Sequence, residues 1–159
     1  MFKALVEHGM GEPGAIAAIH AANDIAREQP AYMLPWGLGV QALITSDAGE
    51  RAAALAEGEA ILAAGAVSHN FVFFNRYAME ASLAANDWAG AERYAARLEA
   101  ALESEPLPMT DFLVARGRAL AAAGRGRKDA RELERLIAAA REVQWRAVIP
   151  ALGAAPAGA

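Results

Sequence analysis

Helix-breaking turns recur along this chain at a nearly constant interval, and this interval constrains the fold more than any other feature of the sequence. The turns fall at Gly11, Ser46, Asn86 and Gly124, which are 35, 40 and 38 residues apart. Between them, apolar residues repeat at three- and four-residue steps, as on one face of a helix, and no segment alternates as a strand does. Such a period is typical of stacked helical hairpins. We therefore predict an all-α protein, an α-α superhelix of about four helical hairpins.

The composition favours closely packed helices. Alanine supplies 43 of the 159 residues, and it has the highest helix propensity of all residue types. The length predicts one domain, which we place at residues 1–152, and residues 153–159 are expected to fray. No apolar stretch has the length of a membrane span or the pattern of a signal peptide, so we expect a cytoplasmic protein without a membrane partner.

Prolines and capping residues set the expected helix boundaries. The first clear helix is expected to begin near Pro13 and to end before Pro30, and the second to begin at Leu34 or Pro35. The stretch 103–108, with two prolines, is expected to end the fifth helix. Side chains expected to open or cap later helices are Ser46 or Asp47, Ser68, Asp87, Thr110 or Asp111, and Asp129.

Two regions resemble the tetratricopeptide repeat. The segment 86–91, NDWAGA, resembles the turn and second-helix start of that repeat, which favours glycine-aspartate-aromatic followed by a small residue. The spacing of Leu113, Gly117, Leu120 and Gly124 resembles the large-small-large-glycine pattern of its first helix. This resemblance implies paired helices that stack into a superhelix with a concave face.

A longer stretch, residues 58–152, resembles the C-terminal tetratricopeptide-like region of large bacterial regulators that contain an adenylate or guanylate cyclase domain and an ATPase module. The segments that carry the resemblance are 65–70 (GAVSHN), 86–88 (NDW) and 115–120 (ARGRAL). The resemblance implies a sensory or regulatory interaction segment. It does not imply cyclase activity, because 159 residues do not hold the cyclase and ATPase domains as well.

The residue types present offer little to catalysis. Cysteine is absent, the three histidines are scattered, and no serine lies in a nucleophile motif. We therefore expect a protein that is not an enzyme and that needs no metal or cofactor.

Charge is distributed unevenly along the chain. Residues 1–115 carry 15 acidic and 6 basic side chains, whereas residues 116–159 carry 4 acidic and 9 basic ones. Acidic side chains lie among these cations at spacings that allow ion pairs on a helix. We therefore interpret the basic region as a solvated helix face and do not expect a nucleic-acid partner. Its cations include Arg125, Arg127, Lys128 and Arg131.

The repeat geometry predicts which residues face a partner. In stacked hairpins, the first helix of each pair lines the concave side, and aromatic rings beside arginines are typical of binding surfaces. A histidine-asparagine pair at a helix start adds polar groups where the helix dipole favours an anion. The predicted partner-binding residues are Trp36, His69, Asn70, Phe73, Arg76, Glu80, Asp111 and Arg118.

We therefore predict a non-catalytic interaction or regulatory module that binds a polypeptide segment in a concave groove. Arg76 and Arg118 would favour an acidic or carboxylate-ended segment, with Trp36 or Phe73 as the apolar anchor. The competing interpretation of these two rings is core packing. The alternative function is a small-molecule-sensing domain, which predicts a closed apolar cavity around the same rings. A self-associating domain, forming homo-oligomers, is a further alternative.

Overall fold

The computed structural model describes residues 1–103 and 106–155, and within them every regular element is helical, which confirms the all-α prediction. The helices are α1 (Phe2–Gly9), α2 (Ala15–Ala26), α3 (Pro30–Ile44), α4 (Ala48–Ala64), α5 (Ser68–Ala84), α6 (Trp88–Ala100), α7 (Pro108–Gly124), α8 (Ala130–Glu142) and α9 (Ile149–Gly153), the last preceded by a 3-10 turn at Arg146–Val148. None of these helices is long and apolar enough to cross a membrane.

Local signals place most of the helix boundaries. The side chains of Asp47, Asp87 and Asp129 accept bonds from backbone N–H groups in the first turns of α4, α6 and α8, as predicted. Asn86, before α6, has a φ of 58°, a left-handed conformation that asparagine tolerates better than most residues. The turns expected at Ser46 and Asn86 therefore separate helices as the sequence indicates.

Two prolines that were expected to lie at helix ends begin helices instead. Pro30 and Pro108 are the first residues of α3 and α7, so the expected starts at Leu34 or Pro35 and at Thr110 or Asp111 are wrong. The fixed φ of proline suits a first helical turn, where its missing N–H would have no intrahelical partner. Pro35 lies inside α3. In addition, α1 precedes the first helix that the sequence predicts.

The chain forms two compact units, Met1–Ala81 and Ser82–Ala159, and α5 runs through their boundary. In the first unit, α3 is central, and every residue from 34 to 40 is buried. The fully buried Phe74 of α5 packs its ring where a Cβ at Gly58 of α4 would overlap it, and its backbone lies against Gly39 of α3. Glycine at these two positions allows α5 to approach α3 and α4 closely.

In the second unit, α9 covers the apolar side of α7 and α8. Leu152 packs in one cluster with Ala123, Leu133 and Leu136. Ala155 belongs to the same cluster although it lies in the tail expected to fray, and its carbonyl accepts a bond from the Nζ of a lysine at 2.9 Å. Residues 156–159 of that tail lie outside the described residues. The single domain over residues 1–152 stays a prediction.

Candidate functional site

Pro35 interrupts the hydrogen bonding of α3 beside several predicted site residues. Because proline has no N–H, the carbonyl of Ala31 cannot accept the usual helical bond from residue 35, and the proline ring crowds that carbonyl. The Ala31 carbonyl instead accepts bonds from the backbone N–H of Val67 and from Nδ2 of Asn70, both at 3.1 Å. Residues that follow α4 therefore complete the interrupted turn of α3.

Asn70 and His69 hold α3 at this point. The side chain of Asn70 is fully buried, donates to the carbonyls of Ala31 and Tyr32 at 3.1 and 2.8 Å, and accepts a bond from the N–H of Trp36 at 3.4 Å. The Nε2 of His69 lies 3.0 Å from the Tyr32 carbonyl, so Nε2 is the donor in this bond. We call this set of bonds the α3–α5 latch. Through it, both residues act on the backbone of α3, and the buried Asn70 can affect a partner only by positioning α3.

Aromatic rings cluster beside the α3–α5 latch. Trp36 stacks on Phe73, with ring centroids 4.3 Å apart, and Phe2 meets Trp36 edge-on at 5.2 Å. Tyr32 meets the ring of His69 edge-on at 5.9 Å. Trp36 is only 7% exposed, in agreement with core packing, whereas Phe2 and Tyr32 are 70% and 58% exposed. The stacking leaves no space for a ligand between Trp36 and Phe73.

Trp36 also forms part of the wall of an apolar cleft of about 430 Å³ formed by α1, α2, α3 and the turn before α3, here called the α1–α3 cleft. Its main apolar side chains are Met1, Phe2, Ile25, Tyr32, Met33 and Trp36. This volume falls within the range of ligand pockets, roughly 300–1,000 Å³. The indole N–H of Trp36 is buried and has no acceptor among the described residues.

The charged side chain at the α1–α3 cleft is an acid. Glu28 is the one charged side chain among the residues that line it, and Gln29 adds a neutral polar group. Glu28 is exposed, and within residues 1–103 and 106–155 no ion pair or side-chain hydrogen bond engages its carboxylate. The first unit as a whole carries 9 acidic and 4 basic side chains.

The other predicted site residues have surroundings of their own. In the first unit, the Arg76 guanidinium lies 5.3 Å from the ring centre of the neighbouring tyrosine, and Glu80 is half-buried on the same helix. In the second unit, Asp111 is exposed in the first turn of α7. There Arg118 donates two bonds to Glu99, at 2.9 and 2.7 Å, which raise the pKa of the guanidinium and lower that of the carboxyl. A partner carboxylate would therefore compete with Glu99 for Arg118.

A second polar cluster links α2, α3 and α4. The Glu50 carboxylate accepts a bond from the Thr45 hydroxyl at 2.5 Å and another from the Gln41 amide at 2.8 Å, and it lies 2.5 Å from Nε2 of His20. These contacts, the Thr45 hydroxyl most of all, lower the pKa of the Glu50 carboxyl. The buried Asn23 donates to Gln41 at 2.8 Å. Because neighbouring side chains already surround the carboxylate, we interpret this cluster as a link between helices.

Sequence reasoning missed three residues of the α1–α3 cleft. Phe2 lies in α1, which the sequence did not predict, and Glu28 lies in the short turn before α3. Tyr32 falls between two predicted helices once Pro30 is taken as an end. The signal that identifies Tyr32 is its position four residues before Trp36, which places both residues on one face of a helix that begins at Pro30.

Comparison with known proteins gives no match, whether with protein-family models, curated proteins or solved structures. The resemblance to the tetratricopeptide-like tails of cyclase-containing regulators therefore stays a prediction. Among the described residues, no three side chains of metal-binding type come together.

Proposed function

We propose that the protein is a non-catalytic module that binds a polypeptide segment, and that one side chain of this segment enters the α1–α3 cleft. The observation that carries the proposal is the pair of exposed rings, Phe2 and Tyr32, beside an apolar cleft whose wall includes the buried Trp36. Burying apolar surface contributes about 25 cal/mol per Å², so covering these rings favours a complex. Aromatic groups around a pocket are also typical of the residues that dominate binding energy.

The proposal extends to the architecture and the biological setting. The regular spacing of the turns and the segments 65–70, 86–88 and 115–120 support stacked hairpins of the tetratricopeptide type and a regulatory role in a bacterial signalling protein. Arg76 and Arg118 retain their proposed role as contacts for carboxylates of the partner, and Arg118 must exchange Glu99 for a partner group.

Selection of peptides from a displayed random library tests this function. We expect the selected peptides to bind the parent protein and the Tyr32→Phe variant, and to lose binding to Tyr32→Ala, because the ring forms the cleft wall. Tyr32 is exposed, so all three proteins should unfold at nearly the same temperature. If no selected peptide distinguishes Tyr32→Ala from the parent, the α1–α3 cleft is not the binding site and the proposal is wrong.

A double variant, Arg76→Ala with Arg118→Ala, tests the carboxylate contacts in the same selection. It should weaken the binding of acidic or carboxylate-ended peptides while thermal unfolding changes little. Arg118 loses an exposed ion pair, which contributes at most about 1 kcal/mol to stability, and Arg76 loses a contact with the ring of Tyr77. Unchanged binding of such peptides would show that neither arginine contacts the partner.

One observation favours a second candidate function, the sensing of a small molecule in the α1–α3 cleft. The buried indole N–H of Trp36 has no acceptor among the described residues, and a ligand oxygen would supply one. In that case, a small apolar compound with a carbonyl group would shift the nuclear magnetic resonance signal of this N–H in the absence of any peptide.

A further inference from the structure

The lining of the α1–α3 cleft indicates the chemistry of the side chain that enters it. We infer that this side chain is a cation, an arginine or a lysine displayed by the partner polypeptide. The inference rests on the proposed function and makes it more specific, because it replaces an apolar anchor with a positively charged one.

Aromatic rings supply the first reason. The faces of aromatic rings carry negative potential and attract ammonium and guanidinium groups, and cages of such rings bind organic cations. The α1–α3 cleft has rings from two helices: Phe2 from α1, and Tyr32 and Trp36 from successive turns of α3. Phe2 and Tyr32 are largely exposed, so a cation reaches them without any rearrangement of the core.

The charge at the rim supplies the second reason. Glu28 carries the only charged side chain in the lining, and among the described residues its carboxylate has no partner. The adjacent cation, Arg27, does not pair with Glu28, because its guanidinium already binds both oxygens of Glu57. A cation in the cleft would therefore form an ion pair that Glu28 does not form with the described part of the chain.

The remaining lining suits a long basic side chain better than the alternatives. Met1, Ile25 and Met33 offer flexible apolar surface for the methylene groups of lysine or arginine, which commonly bury their stems while the charged ends stay polar. An anion would face the Glu28 carboxylate and the negative faces of the rings. A neutral apolar side chain would bury the rim of the cleft and leave Glu28 without a partner.

Four capped tripeptides, with arginine, lysine, leucine or glutamate between two alanines, serve as probes. Binding is followed through the indole N–H signal of Trp36 in nuclear magnetic resonance spectra of the full chain. We expect the arginine and lysine peptides to bind at least about fivefold more tightly than the leucine peptide, and the glutamate peptide not to bind at concentrations of about 10 mM.

Two variants separate charge from shape. Glu28→Gln should weaken the binding of the arginine and lysine peptides about five- to tenfold and leave the affinity for the leucine peptide unchanged. Glu12→Gln is the matched control, because Glu12 is an exposed acid of the same unit that does not line the cleft. It should change none of the affinities.

The outcomes distinguish this inference from the function on which it rests. If the leucine peptide binds as tightly as the arginine peptide and Glu28→Gln has no effect, the inference is wrong. The proposed partner is then a polypeptide that inserts an apolar side chain. If tetramethylammonium binds more tightly than the arginine peptide, the ligand is a free organic cation, and the polypeptide source is wrong. If no tripeptide binds while selected peptides still depend on Tyr32, the cation inference fails alone.

Discussion

The α3–α5 latch predicts an energetic coupling between Pro35 and Asn70. Asn70→Ala removes two donated bonds, at 3.1 and 2.8 Å, and one longer accepted bond, at 3.4 Å, from a fully buried position. Each of the two carbonyls keeps one other donor, so each lost bond costs about 0.5–1.5 kcal/mol rather than the larger cost of an orphaned group. We expect the free energy of unfolding to fall by about 3 kcal/mol.

Replacement of the proline changes this cost. In Pro35→Ala, residue 35 regains an N–H that can donate to the carbonyl of Ala31, so α3 closes its own turn and depends less on Asn70. In that background, we expect Asn70→Ala to cost about 2 kcal/mol, which corresponds to a coupling energy of about 1 kcal/mol.

Urea unfolding of the parent, the two single variants and the double variant measures this coupling. Asn75→Ala is a matched control, because Asn75 is a buried asparagine of α5 whose side chain, among the described residues, bonds only within its own helix, to the carbonyl of Phe71 at 2.7 Å. The loss of unfolding free energy caused by Asn75→Ala should be the same with or without Pro35. Equal costs of Asn70→Ala in both backgrounds, within about 0.3 kcal/mol, would refute the reasoning.

Two further predictions concern packing and pH. Gly58→Ala should destabilise the protein by about 1–3 kcal/mol, because the added Cβ overlaps the ring of Phe74. Gly9→Ala is the control and should be neutral or slightly stabilising, because the space around Gly9 is open. A lower calorimetric melting temperature for Gly9→Ala than for Gly58→Ala would contradict this description of the packing. The Glu50 carboxyl has a lowered pKa in the folded protein, so its stabilisation is present above its unfolded pKa and is lost as the pH falls through the folded pKa. The difference in urea midpoint between the parent and Glu50→Gln should therefore shrink from neutral pH to about pH 3, and a constant difference would show that Glu50 adds no pH-dependent stability.

Features of the fold that depend on adjacent residues could be predicted from the sequence. An aspartate at a helix start bonds to N–H groups two or three residues away, so Asp47, Asp87 and Asp129 could be recognised without knowledge of the rest of the chain. The course of α3 could not be predicted in this way. A proline inside a helix is costly unless its surroundings compensate, and here the compensating donors come from Val67 and Asn70, far along the sequence.

The candidate site was predictable to a similar extent. The spacing of apolar residues predicts both Trp36 and Phe73 as residues of the binding surface, and their rings stack in the structure. The pattern does not show that α1 lies beside α2 and α3, so Phe2 and Glu28 could not be assigned to one cleft with Tyr32. The cleft therefore depends on tertiary packing, which single-sequence periodicity does not report.

The interrupted turn of α3 also imposes an order on how the first unit assembles. The carbonyl of Ala31 receives its donors from Val67 and Asn70, both far later in the chain, because Pro35 has no N–H to donate. We therefore expect the first turn of α3 to become stable only when the segment from Val67 to Asn70 is in place. These two segments should become protected from amide hydrogen exchange together, as one cooperative folding unit that joins distant parts of the sequence.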